Sequence, residues 1–220
     1  MIQPDEIIRS NRKTLSICID PFGRLVVRAP KSCGQERIFA FLQLKEDWIL
    51  RKKAERKGTG IRLPDKNLDG YELYLLGNIY RLQLSKHKEV CLSKEGNVLF
   101  LPDTDSEKKL VKWLKKQAKG IFLALTEEYA KDMGVGFKSV SVTSAKRRWG
   151  SCSFDNSLHF SFRLLYTPRE IIEYVIVHEL SHIKQKNHSP RFWAEVEKYQ
   201  PNYKEKRKWL KTHAALMEIF

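Results

Sequence analysis

Residues 171–188 constrain this chain more than any other stretch. They read IIEYVIVHELSHIKQKNH and hold His178, Glu179 and His182 in the pattern H-E-x-x-H. Residues four apart on an α-helix lie one turn apart on the same face. Two imidazoles so placed can take one ion from the same side, with Glu179 in reach of a water on that ion. Ile171, Ile172, Val175, Ile176, Val177, Leu180 and Ile183 are apolar nearly all round the axis, which predicts a buried central helix. Unpaired polar groups are costly in such a setting. A cation supplies the partner; the plainer alternative is a pair of core histidines satisfied by hydrogen bonds.

Hydrolytic zinc sites use three protein ligands and keep a position for water, whereas structural sites use four. His188 is the expected third ligand. Between it and His182 stand Lys184, Gln185, Lys186 and Asn187, too polar to extend the buried face. Asn187 tolerates a left-handed backbone and is the expected helix end. Ser189 and Pro190 then read as the N-cap and first residue of a new helix. Glu195 and Glu197 are the alternative third ligands, ranked behind His188, or carboxylate partners of a ligand histidine. The spacing also fits H-E-x-x-H-x-x-G-x-x-H, but Gln185 replaces the glycine and no Met-turn follows; Met217 falls in an expected terminal helix.

This pattern predicts a zinc-dependent hydrolase in which Glu179 moves protons as general base and acid. Tyr166, Tyr203, Arg163 and His213 are candidate electrophilic helpers, without a preference among them. A strand near 158–162 is the expected sheet edge for an extended peptide; His159 on it reads as a packing or surface residue.

The charge balance adds a possible partner. Lys and Arg number 41 against 26 Asp and Glu, a net +15, and such an excess favours acidic partners. Lysines recur over 108–119 and 204–211, and Lys146, Arg147 and Arg148 precede Trp149. With Arg163, the residues Arg147, Arg148 and Trp149 are candidates for contacting nucleic acid or substrate. Weak, sequence-independent, salt-sensitive nucleic-acid binding is the expectation. Cys18, Cys33, Cys91 and Cys152 form no C-x-x-C pair and read as ordinary residues of a reducing compartment. No signal-like or bilayer-length apolar run is present, so no membrane partner and a cytoplasmic location are expected.

Two domains are expected. Residues 1–103 read as a β-rich N-terminal domain with one helix: strands over 14–19 and 25–27 around an Asp20–Gly23 turn, a helix over 35–57 closed by Gly58, and strands over 71–76, 79–84, 90–92 and 98–101. Gly77-Asn78 and Glu95-Gly96-Asn97 are the expected turns. Residues 104–220 hold a long helix over 107–131 with a basic first half, two strands near 140–142 and 158–162, the histidine helix and two further helices.

The second half resembles the YgjP-like family of predicted zinc metallopeptidases, relatives of the SprT-like and WLM peptidases. The residues that carry this are Arg148-Trp149-Gly150-Ser151-Cys152-Ser153, Phe162-Arg163-Leu164-Leu165 with Pro168, and Tyr174-Val175-Ile176-Val177-His178-Glu179-Leu180-Ser181-His182. They continue with Asn187-His188-Ser189, Phe192-Trp193, Pro201-Asn202-Tyr203, Arg207, Trp209 and Leu210. The resemblance implies an α+β, zincin-like catalytic domain, a small sheet packed on the H-E-x-x-H helix, with a β-rich domain before it. It implies zinc held by His178, His182 and His188, catalysis by Glu179, and a peptide or protein substrate. Two alternatives stay open: a metal-dependent nucleotide pyrophosphohydrolase, a label some members carry, and a basic nucleic-acid-associated module with a secondary metal site.

Overall fold

The structure is a computed structural model, and it describes the chain except for residues 1, 20–23, 57–63, 65–66 and 94–95 and the side chains of residues 55 and 56. The expected turn at Asp20–Gly23, the helix end at Gly58 and Glu95 lie outside the described residues. Two compact units are present: Met1–Arg62 with Lys211–Ala215, and Leu63–Leu210 with Leu216–Phe220.

In the first unit, β3 (Leu25–Pro30) lies between β1 (Glu6–Ser10), parallel to it, and β2 (Ser16–Ile19), antiparallel to it. β1 is an addition to the expected strand pair. The single expected helix is two, α1 (Gln35–Leu44) and α2 (Glu46–Arg56). Lys45 separates them: its N–H closes a tight last turn on Leu42 O at 3.1 Å, and its carbonyl accepts from Ile49 N–H at 2.9 Å. Leu25, Val27, Ala29, Ile38, Leu42 and Ile49 form the core of this unit.

The second unit opens with β4 (Glu72–Leu75), β5 (Asn78–Ser85), β6 (Cys91–Leu92) and β7 (Val98–Pro102), in the order β4-β5-β7-β6. Leu75 pairs with Asn78, so the hairpin loop is Leu76-Gly77, one residue earlier than expected. Both loop residues have positive φ, 53° and 92°, as a two-residue hairpin turn of this hand requires. Leu76 N–H donates to Leu165 O at 2.8 Å. This sheet therefore belongs to the same compact unit as the histidine helix, and the expected boundary near residue 103 falls inside that unit.

α3 (Ser106–Met133) is the long expected helix, and it ends at Gly134 with φ 62°, the left-handed cap that glycine adopts without strain. Beyond it, β8 (Ser139–Thr143), β9 (Gly150–Cys152) and β10 (Ser157–Ser161) form a sheet in the order β8-β10-β9. β10 is parallel to β8 and antiparallel to β9. The strand expected at the sheet edge is thus the central one, and the short β9, inside what reads as a connection, is an edge.

Alternation divides this sheet into two faces. Leu158 and Phe160 are fully buried, with Phe160 edge-on to Phe122 of α3 at 5.7 Å. On the opposite face, register brings together Ser139, Ser141 and Thr143 of β8, Ser157, His159 and Ser161 of β10, and Ser151 of β9. A 3-10 turn at Phe162–Tyr166 leads into α4 (Arg169–Lys184), followed by α5 (Pro190–Tyr199) and α6 (Tyr203–Thr212). Ile172, Ile176, Val177 and Leu180 of α4 are fully buried, as the apolar periodicity of that helix predicts. The whole is a mixed α+β fold. No helix among the described residues is long and apolar enough to cross a membrane.

Candidate metal centre

The site is built on the last two turns of α4 and the five residues after it. His178 and His182 share one face, as their spacing requires. The helix ends at Lys184 because Gln185 turns extended, with φ −134° and ψ 101°. Asn187, the expected helix end, is not left-handed; its Oδ1 accepts from Ser189 N–H at 3.3 Å. Ser189 Oγ caps α5 by accepting from Phe192 N–H at 3.4 Å, with Pro190 in the first turn as expected.

This turn returns His188 to the helix. His188 Nε2 lies 3.1 Å from His178 Nε2, and one ligand atom from each of His178, His182 and His188 falls within 4.8 Å of the others. Gln185 O accepts from His182 Nδ1 at 3.1 Å. A proton on Nδ1 leaves the Nε2 lone pair available as a ligand.

Three observations test whether these residues fit a zinc ion. Tetrahedral ligation at ordinary zinc–nitrogen distances separates ligand nitrogens by about 3.3 Å, close to the 3.1 Å between His178 and His188. His178 Nδ1 is buried without a hydrogen-bond partner among the described residues, so the protein's own groups leave that one nitrogen unsatisfied. All three rings are packed by aromatics. Phe192 lies 4.9, 4.5 and 4.8 Å from the ring centres of His178, His182 and His188. Trp193 stacks on His188 at 5.6 Å, Tyr203 stacks on Trp193 at 5.1 Å, and the Arg207 guanidinium lies 4.9 Å from the Trp193 ring centre.

Burial pushes the His178 pKa down to about 3, helped by His182, His188 and Arg207. Burial lowers that of His182 as well. Both effects keep the imidazoles neutral, the form that ligates. The three histidines fit the ion.

Glu179 is 5% exposed and lies against β9. A Cβ on Gly150 would stand 2.8 Å from both Cγ and Oε1 of Glu179, so only glycine leaves the carboxyl its place. Burial raises the Glu179 pKa to about 8, against the pull of Cys152 N–H and the Arg148 charge. A cavity of about 400 Å3 joins Glu179 to the three histidines, and Arg148, Ser151, Cys152 and Lys186 also line it.

The remaining candidates separate clearly. Arg163 is 2% exposed, with Nε donating to Ile219 O at 2.8 Å and Nη1 to Ser144 O at 3.0 Å. Both donors of Arg163 are thus engaged by backbone carbonyls in the core. Tyr166 is fully buried, its ring edge-on to Phe162 at 6.1 Å. Tyr203 packs behind Trp193, and His213 belongs to the other compact unit. Glu195 is held by Lys184 at 2.7 Å and Lys198 at 2.8 Å, and Glu197 is exposed. Neither joins the histidine cluster. Arg147 and Arg148 are exposed and Trp149 is half-buried, its carbonyl accepting from Ser161 N–H at 2.8 Å. Of this group Arg148 lines the histidine cavity. The roles of Gly150 and Gln185 are not legible in local sequence pattern; Gly150 shows there only as part of the Trp149-Gly150-Ser151 step.

Two solved structures are similar in part. The metallopeptidase zymogen of abylysin from Pyrococcus abyssi is 28% identical, with 41% of this chain and 92% of that chain covered and a TM-score of 0.39. The metallopeptidase zymogen of jannalysin from Methanocaldococcus jannaschii is 23% identical, with 43% and 96% covered and a TM-score of 0.38. No curated protein matches the chain. The model of the family described as "YgjP-like, metallopeptidase domain" matches residues 13–213. That match spans nearly the full length and contains the whole three-imidazole cluster: the chain belongs to the YgjP-like metallopeptidase family.

Proposed function

We propose that this protein is a zinc-dependent peptidase of the zincin type, with His178, His182 and His188 as the zinc ligands and Glu179 as general base and acid. The carrying observation is that three imidazoles converge within 4.8 Å beside a buried carboxyl. A bound zinc supplies Lewis acidity and a water whose pKa is brought to about 7. Glu179 takes a proton from the attacking water and returns it to the leaving amine. Glu179 is buried beside the histidines, and the backbone at Gly150 leaves room for its carboxyl there.

An extended peptide can pair with β9, whose outer edge carries no partner strand among the described residues. β9, and not 158–162, is then the peptide-pairing strand. All four residues of the proposed machinery fall within 104–220, and we assign catalysis to that part of the chain. The four cysteines are free, which suits a reducing compartment and supports a cytoplasmic placement. No observation among the described residues favours the nucleotide or nucleic-acid readings; Arg163, one of the four residues they invoked, is buried.

Elemental analysis of the purified protein, paired with cleavage of an unfolded protein and of nucleotides, tests the assignment. One zinc per chain with peptide-bond cleavage is expected. A zinc-free active protein, or hydrolysis confined to nucleotides, overturns it.

A further inference from the structure

A second cavity, of about 490 Å3, lies on the outer face of the β8-β10-β9 sheet. Thr143, Arg148, Ser151, His159 and Ser161 line it. Arg148, Ser151 and Cys152 line both this groove and the histidine cavity, so the two adjoin along β9.

The groove's chemistry is one-sided. Its walls offer hydroxyls, an imidazole and a guanidinium, and no carboxylate is among them. Ser141 Oγ lies 2.5 Å from His159 Nδ1. A hydroxyl donated to Nδ1 leaves Nε2–H as a donor. Asp155, in the turn after β9, is taken up by Lys138 at 2.7 Å and by Ser153 at 2.6 Å. No hydrogen bond or ion pair ties Arg148 to another described residue, while its charge acts on Glu179. Large apolar side chains are absent from the lining, so the groove suits a short oxyanion and not an aromatic or aliphatic group.

Strand geometry connects this groove to a substrate. In β9, Gly150 faces Glu179, whereas Ser151 pairs with His159 and shares its face. An extended segment added along the outer edge of β9 places successive side chains on opposite faces. One side chain then lies on the histidine side, and a neighbour one position away lies over the hydroxyl groove.

We propose that this groove is a subsite for an acidic side chain of the peptide substrate, one residue removed from the side chain at the histidine cavity, with Arg148 and His159 as its recognition groups. This inference rests on the peptidase reading for its substrate, but its binding chemistry can be measured separately.

The test uses the full chain as purified, in a Glu179→Gln background so that peptide is not consumed. Acetyl-Ala-Ala-Glu-Ala-Ala-amide and its Gln counterpart are titrated by calorimetry, with inorganic phosphate and AMP as competitors. The Glu peptide should bind tighter on the order of tenfold. Arg148→Gln should abolish the difference, and Lys116→Gln, the same charge change on exposed α3 surface, should retain it. Equal binding of the two peptides, or an unchanged preference in Arg148→Gln, overturns the subsite. Phosphate or AMP displacing the peptide at lower concentration than the free Glu peptide also overturns it, in favour of a phosphate site.

Cleavage mapping of a mixed peptide library by the wild-type protein is the second arm, and acidic residues should be enriched at one position beside the scissile bond. Cleavage without that enrichment overturns the subsite and leaves the peptidase reading intact. A Glu preference in binding with no peptide cleaved sinks the peptidase reading while the acidic subsite survives.

Discussion

Gly150 of β9 and Glu179 of α4 occupy one space between them: Cγ, Cδ and Oε1 of Glu179 crowd the position where a side chain on residue 150 would begin. A catalytic group on a helix is thereby located by a backbone on a sheet. Gly150→Ala puts a Cβ 2.8 Å from Cγ and Oε1, so the carboxyl must move. A shift of about 1 Å in a reacting group costs roughly 100-fold in rate, and overpacking costs about 1–3 kcal/mol of stability. Zinc content should stay at the wild-type level, because no ligand moves. Peptidase kinetics alongside elemental analysis decide this; wild-type kcat/KM in Gly150→Ala would refute the packing account.

Glu179→Gln keeps the shape of the side chain and removes its proton chemistry. Turnover is expected to fall by about 100- to 10,000-fold with zinc retained. Loss of zinc in this variant would make Glu179 a ligand instead.

His188→Ala should lose metal, whereas Glu195→Ala should keep it, because Glu195 is engaged by Lys184 and Lys198 and stands outside the cluster. Zinc stoichiometry after dialysis reads out both. The reverse pattern would transfer the third ligand to α5.

Arg163→Met removes a buried cation that donates to Ile219 O and Ser144 O. Two carbonyls lose their charged donor, at about 2–5 kcal/mol in all. Denaturant melts should show this loss, with zinc affinity unchanged. A neutral substitution would mean that Arg163 does not hold these segments together.

The metal-free protein should carry two opposed pH dependences. Glu179, with its folded pKa raised from 4.5 to about 8, contributes stability fully below about pH 4.5 and loses it as pH climbs towards 8. His178, lowered from 6.5 to about 3, contributes stability above about pH 6.5 and loses it as pH falls towards 3. Thermal melts of chelated wild-type protein and Glu179→Gln across pH 4.5–8 separate the two. The stability difference between them should shift in favour of Glu179→Gln as pH rises. A difference independent of pH would remove the desolvated carboxyl from the account.

Local pattern carried the histidine helix into view, because four-residue spacing and an all-round apolar helix are properties of contiguous residues. His188 was legible for the same reason, although the turn delivering it is made by Gln185 and not by Asn187. What could not be read was neighbourhood across the chain. Nothing in 158–162 distinguishes a central strand from an edge; that depends on β9, whose three residues are too short for a period to register. Arg147, Arg148 and Arg163 are chemically equivalent in the sequence. Packing sends Arg163 into the core, Arg147 to solvent and Arg148 to the cavity. Lys45 splits the first helix without the Gly or Pro that would announce a break.

The five residues from Gln185 to Ser189 have almost no spare length. Gln185 supplies the carbonyl for His182, Asn187 holds the backbone of Ser189, His188 supplies a ring, and Ser189 starts the next helix. Insertion or deletion of a single residue here breaks at least two of these assignments at once. Anyone grafting this centre onto another scaffold must carry 178–193 as one cassette, helix end, turn and helix start together, since the two-histidine motif alone leaves the third ring without a defined address.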